Sequence, residues 1–77
     1  MKYFGCIDQG TTSSRFIVFN EKGQIVASHQ QEFNQHLPDE VSVEHDPIEI
    51  WESVTNCITK VDEEFSINQL DSIGITN

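Results

Sequence analysis

Basic residues are scarce in this chain: 4 Lys and Arg stand against 13 Asp and Glu, for a formal charge of −9 over 77 residues. Nucleic acid and anionic membrane surfaces are held by clustered Lys and Arg, so the balance argues against both as partners. Long apolar runs are also missing. The stretches at 3–7 and 16–19 fall far short of the roughly 20 residues a membrane span requires. The first residues carry one Lys and pass directly into a β-like run, without the apolar core and small-residue cleavage site of a secretory signal, so a cytoplasmic location is expected. Cysteine is limited to Cys6 and Cys57, which form no CxxC pair and are expected to stay reduced. Neither GxxxxGK[ST] nor GxGxxG occurs, which leaves a P-loop and a dinucleotide fold unsupported. A chain this short holds one small domain, burying only about 60% of its unfolded surface, and any enzyme that needs two lobes is expected to be incomplete within it.

What is present orders itself as βββαβ. Residues 2–8 are rich in β-branched and aromatic side chains and stop at the polar stretch 9–14. A second strand over 15–19 is apolar on both faces, Phe16 and Val18 alternating with Ile17 and Phe19, and so belongs inside a sheet. Asn20 and Gly23 suit a tight turn, Gly supplying the positive φ that returns the next strand antiparallel. That third strand starts at Gln24 and becomes polar toward Phe33, as befits an edge. Residues 34–46 read as loop around Pro38. Asp46 followed by Pro47 signals a helix start, a carboxylate cap before a proline at the first helical position. Trp51, Val54, Ile58, Val61 and Phe65 then form one helical stripe, with Glu49, Glu52, Asn56, Lys60 and Glu63 toward water. Asp62, Glu63 and Glu64 oppose the helix dipole, so fraying is expected there. The final strand spans 71–77, its Gly74 suggesting a close backbone approach. A crossover helix allows this strand to lie parallel to the first on its free side.

Chemistry concentrates at Asp8-Gln9-Gly10-Thr11-Thr12-Ser13-Ser14-Arg15. Backbone N–H groups of a tight turn form an anion-binding concavity, and hydroxyls add donors without bulk. Arg15 offers phosphate a planar fork, and Asp8 is placed to hold Mg²⁺ through water. A plain polar hairpin turn has the same composition, and residue chemistry alone leaves both readings open.

The segments at 7–15, 43–47 and 73–77 together resemble the amino-terminal segment of the glycerol kinase family, one of the carbohydrate kinases that share the actin-like, ribonuclease-H-like fold. The resemblance covers essentially the whole chain. Gln9 favours glycerol kinases over related sugar kinases, which carry Asp-Leu-Gly-Thr at this point. The fold implied is an α/β partial domain, a mixed βββαβ sheet with one crossover helix at about 47–65, and residues 1–77 are then the N-terminal, incomplete part of the first kinase lobe. By the same resemblance Gly10, Thr11, Thr12 and Ser13 match the turn that meets the ATP or ADP phosphates, and Thr11 also matches a position near the product's phosphate. Arg15 matches a residue close to the ADP phosphates and Asp8 an acid associated with Mg²⁺. Glycerol and ATP are the implied substrates and a homo-oligomer the implied full-length state. Val41 and Ser42 depart from the family's Gly-Trp. The glycerol-holding residues, the general base and the adenine-binding lobe are expected outside these residues, so no catalytic residue is assigned among them.

Other signals are weaker. His29, His36 and His45 have acids nearby, but their spacing matches no helical or knuckle metal site. The acids from Asp39 to Glu52 lack the alternating ligands and central glycine of an EF-hand. A related sugar kinase, or an acidic binding module without catalysis, remains as an alternative.

Overall fold

The computed structural model describes residues 1–32 and 47–76. Strand β1 (Tyr3–Gln9), β2 (Ser13–Asn20) and β3 (Ile25–Glu32) are followed by helix α1 (Pro47–Glu64), a single 3-10 turn (Ile67–Gln69) and β4 (Ser72–Thr76). The four strands form one sheet in the order β3-β2-β1-β4. β1 and β3 pair antiparallel with β2, and β4 runs parallel to β1. The βββαβ order, the interior place of β2 and the edge place of β3 thus agree with the sequence pattern. The expected cap Asp46 and the loop at 34–46 lie outside the described residues.

Two short connections set the sheet's geometry. At 20–24 the Asn20 side chain accepts the amides of Lys22 and Gln24 through Oδ1, at 2.9 and 3.0 Å, while the Gly23 amide bonds the Asn20 carbonyl. Gly23 takes φ +79°, the left-handed conformation that costs other residues most. At the other end the β1–β2 ladder runs farther than expected. Gln9 pairs with Ser14, so Ser13 and Ser14 belong to β2 rather than to the turn, and only residues 10–12 remain outside the strands.

Strand alternation puts Tyr3, Gly5, Ile7 and Gln9 on the same face as Phe16, Val18 and Ala27. Helix α1 packs on that face over β2 and β3, where Phe16, Val18, Ala27, Cys57 and Val61 form the core. Gly5 is required here, because a Cβ at that position would stand 2.8 Å from Phe16 Cζ. Phe65 closes the far end edge-on against Tyr3, ring centroids 4.7 Å apart. Reciprocal bonds from the Asp71 amide to the Tyr3 carbonyl and from the Tyr3 amide to Asp71 Oδ2 then lead the chain into β4.

Three expectations are corrected. Trp51 is 66% exposed, and the helix buries Ser53, Val54, Cys57 and Val61 instead of a stripe led by Trp51. Because α1 lies over β2 and β3, its first turns overhang the β1–β4 half of the sheet, and Trp51 borders an apolar recess with Ile7, Ile50, Val54 and Ile75. Gly74 has no atom within 4 Å of where a Cβ would stand, so no close approach among the described residues accounts for it. The acidic helix end does not break early: α1 runs through Glu64, the Phe65 amide still bonds the Val61 carbonyl, and Asp62 accepts the Ile67 amide at 2.9 Å. That carboxylate serves the following turn, which offsets its unfavourable place on the dipole.

Candidate functional site

The candidate site is the β1–β2 turn with the strand ends that carry it. The Gly10 amide donates to the Ser13 carbonyl at 2.9 Å, closing a compact loop whose tip is Thr11 and Thr12, both exposed. A Cβ on Gly10 would lie 3.3 Å from the Ser13 carbonyl oxygen, so a side chain there would crowd the loop. Ser13 opens β2 with its Oγ accepting from Gln30 Nε2 at 2.9 Å, which leaves its own proton to donate.

Asp8 and Arg15 sit directly opposite in the ladder, and Arg15 Nη2 donates to Asp8 Oδ2 at 2.9 Å. Both are substantially exposed, 46% for the Arg15 side chain and 38% for Asp8. Such a pair in water contributes little to stability. Its effect is to stand the guanidinium and the carboxylate side by side at the mouth of the turn, on the sheet face opposite α1. One Asp8 oxygen is engaged by Arg15 and the other remains, which suits a water-mediated Mg²⁺ that takes most of its ligands from water and phosphate. Every residue singled out from the sequence, Asp8, Gly10, Thr11, Thr12, Ser13 and Arg15, therefore falls on one hairpin end.

Sequence reasoning missed what lies beneath. Ser14 and Ser53 are both 0% exposed and their Oγ atoms are 2.7 Å apart, tying β2 to α1. Ser14 Oγ also reaches Gln9 Oε1 at 3.0 Å, and the Cys57 thiol reaches the Ser14 carbonyl at 3.4 Å. Burial pushes the Cys57 thiol above its ordinary value, so it stays protonated and acts as a weak donor. The available signal was the spacing of Ser53, Cys57 and Val61, a four-residue repeat of small side chains on one helix face. Cys6 lies on the other sheet face, and both cysteines are free thiols. Of the three histidines only His29 is among the described residues, half-buried on β3, and no three His, Cys, Asp or Glu converge among those residues.

Solved sugar kinases place this arrangement of strands and helix in the actin-like, ribonuclease-H-like ATPase fold. A xylulose kinase from Lactobacillus acidophilus superposes with TM-score 0.87 at 22% identity over 99% of this chain and 15% of its own, which speaks to the fold alone. A Plasmodium falciparum glycerol kinase solved with ADP superposes with TM-score 0.86 at 30% identity over 100% of this chain and 16% of its own. Residues 3–77 match the N-terminal domain of the FGGY family of carbohydrate kinases, and the chain belongs to that family. Glycerol kinase of Oceanobacillus iheyensis is 55% identical over 99% of this chain, and glycerol kinase 2 of Thermotoga maritima 53% over all of it. The chain spans about 16% of the length of each of those two relatives. Among the described residues no helix is long and apolar enough to cross a membrane.

Proposed function

We propose that the full-length protein carrying this chain transfers the γ-phosphoryl group of ATP to glycerol, giving sn-glycerol 3-phosphate, and that residues 1–77 supply the amino-terminal part of its first lobe. The observation that carries the reading is the hairpin end itself, with its exposed hydroxyls and its Asp8–Arg15 pair, in a chain about half identical to glycerol kinases along its whole length.

The turn's task is to bind and orient phosphate. Gly10 lets the backbone come close, while Thr11, Thr12 and Ser13 donate hydroxyl protons to phosphate oxygens without bulk. Thr11, at the tip, also meets the phosphate of the product. Arg15 approaches a phosphate with its fork and offsets charge that builds during transfer. Asp8 would hold Mg²⁺ and, by pairing with Arg15, fixes where the guanidinium stands. When bound, Mg²⁺ neutralises phosphate charge and aligns the transferring group. The groups that hold glycerol and accept its proton are assigned to the remainder of the full-length protein, so residues 1–77 alone are expected to transfer no phosphate.

The test is a panel of glycerol, xylulose and gluconate with ATP and the full-length protein. Preference for glycerol supports the reading, and preference for either of the others moves the substrate to a related sugar kinase. Thr11→Ala and Arg15→Lys are expected to lower kcat/KM for ATP by at least about tenfold, since each removes a donor that meets developing charge. Unchanged turnover in both would remove the phosphate role of the turn.

A further inference from the structure

Two serines with no exposed surface stand where α1 meets β2, within a core otherwise built from apolar side chains and one cysteine. Ser53 Oγ is 2.7 Å from Ser14 Oγ and 2.6 Å from the Ile50 carbonyl, and its single proton serves one of them at a time. With that proton on the Ser14 side, Ser14 gives its own to Gln9 Oε1 at 3.0 Å. Accepting at Oε1 turns the Gln9 amide nitrogen toward the Gly10 carbonyl, 3.5 Å away. A continuous chain of polar groups thus runs from the buried face of α1 through Ser53, Ser14 and Gln9 to the first residue of the turn. The Cys57 thiol, one helical turn on, holds the Ser14 carbonyl from the same face.

Burying hydroxyls is favourable only when each finds a partner, and apolar side chains of similar shape would fill this space at no such risk. No buried side-chain polar atom among the described residues lacks a partner, so the network is complete. We propose that Ser53 is a positioning residue: through Ser14 and Gln9 it holds the 10–12 turn in the shape that receives phosphate. This rests on the reading of the turn as the phosphate site. Ser53 itself is buried and touches no substrate.

The experiment compares Ser53→Val with Ser53→Thr in the full-length protein. Both side chains are β-branched and impose the same crowding on a buried site, but only Thr keeps the hydroxyl. Relative to Ser53→Thr, Ser53→Val is expected to raise KM for ATP roughly three- to tenfold, the range set by one net hydrogen bond, with KM for glycerol the same within about twofold. Exchange of the Gly10 amide, which the turn protects through the Ser13 carbonyl, is expected to quicken in Ser53→Val by a similar factor. Equal Gly10 exchange, or equal KM for ATP in the two variants, overturns the proposal. If Ser53→Val does not fold, Ser53→Ala against the parent makes the same comparison. A parent protein that phosphorylates nothing from ATP defeats the kinase reading instead, and Gly10 exchange then still decides whether Ser53 positions the turn.

Discussion

Gly5 gives the sharpest test of how the sheet and the helix layer fit. It lies in β1 opposite Val18 of β2 and Ile73 of β4, and it is buried. Gly5→Ala would put a methyl 2.8 Å from Phe16 Cζ and 3.1 Å from both Phe16 Cε1 and Leu70 Cδ1. The tip of Leu70 can swing aside at small cost. Phe16 is only 1% exposed and packed under α1, so its ring has nowhere to go. Alanine would otherwise gain about 0.5–1 kcal/mol over glycine in a strand by restricting the unfolded chain, whereas overpacking costs about 1–3 kcal/mol, leaving a net loss centred on about 1 kcal/mol and no larger than about 2.5 kcal/mol. With a urea slope near ~1 kcal/mol/M for a chain of this size, the midpoint should fall by about 1 M, and by no more than about 2.5 M. Far-UV circular dichroism of residues 1–77 reads this directly. Fluorescence is a poor choice, because the sole tryptophan, Trp51, is already 66% exposed in the folded chain. The same substitution made together with Phe16→Leu should cost little beyond Phe16→Leu alone, since the ring that blocks it is gone. A raised midpoint for Gly5→Ala, or an equal cost in both backgrounds, would refute the reasoning.

Gly23→Ala is expected to lower stability by about 1 kcal/mol, since the residue would have to hold φ +79° with a Cβ, although nothing lies within 4 Å to clash with it; an unchanged melting temperature would contradict this. Cys57 should react with a thiol reagent far more slowly than Cys6 in the folded chain, and at comparable rates after unfolding. Its folded pKa is raised above the ordinary value of 9.0, so its contribution is fully present below about pH 9 and is lost as pH rises, because the unfolded thiol ionises first. Stability measured across pH 8 to 11, a range chosen to bracket roughly the unperturbed thiol value, should therefore fall less steeply in Cys57→Ala than in the parent, and equal slopes would count against burial as the cause. Trp51→Ala should cost well under ~1 kcal/mol in residues 1–77, whereas Val61→Ala, at 1% exposure, should cost about 2 kcal/mol or more; the reverse order would restore Trp51 to the core.

Much of this architecture was legible because local chemistry and tertiary packing agree. Asn20 and Gly23 have the side chain and the backbone freedom that the β2–β3 turn uses, and Phe16 and Val18 sit on an interior strand. Legibility failed where a residue's place depends on which part of the sheet the helix covers. Periodicity sorts the faces of α1 but says nothing of where its axis lies, so Trp51 extended the stripe correctly and still projected beyond the strands beneath it. Ser53 and Cys57 failed for the opposite reason. Serine carries no hydrophobic weight, and the burial of Ser53 is explained by its contact with Ser14; Cys57 packs in the core with Phe16, Val18 and Val61, and its thiol adds a bond to the Ser14 carbonyl. The 3-10 turn at Ile67–Gln69 has no period to detect; its own bonds from the Gln69 and Leu70 amides to the Ser66 and Ile67 carbonyls are joined by one from the Ile67 amide to Asp62.

The phosphate reading must also withstand a chain of net charge −9. The charge does not fall on the turn. Residues 9–14 are uncharged, and the acid before them, Asp8, is matched at 2.9 Å by the base after them, Arg15. An approaching phosphate would therefore meet backbone amides, hydroxyls and a guanidinium, with Asp8 already engaged by Arg15 and suited to share a divalent cation, and with Glu32 of β3, opposite Ser13 in the ladder, as a further acid beside the turn. Screening at physiological salt confines exposed charges to a reach of about 8 Å, so the composition of the turn outweighs the sum over the chain. Arg15→Ala follows as the substitution that removes this protection. It would leave Asp8 unpaired at the mouth of the turn, and it should weaken ATP binding more than Asp8 and Arg15 replaced together by Asn and Gln. ATP titrations of the two full-length variants without Mg²⁺, which keep the role of Asp8 toward the cation out of the comparison, decide it, and weaker binding by the double replacement would mean that Arg15 does not serve to mask Asp8.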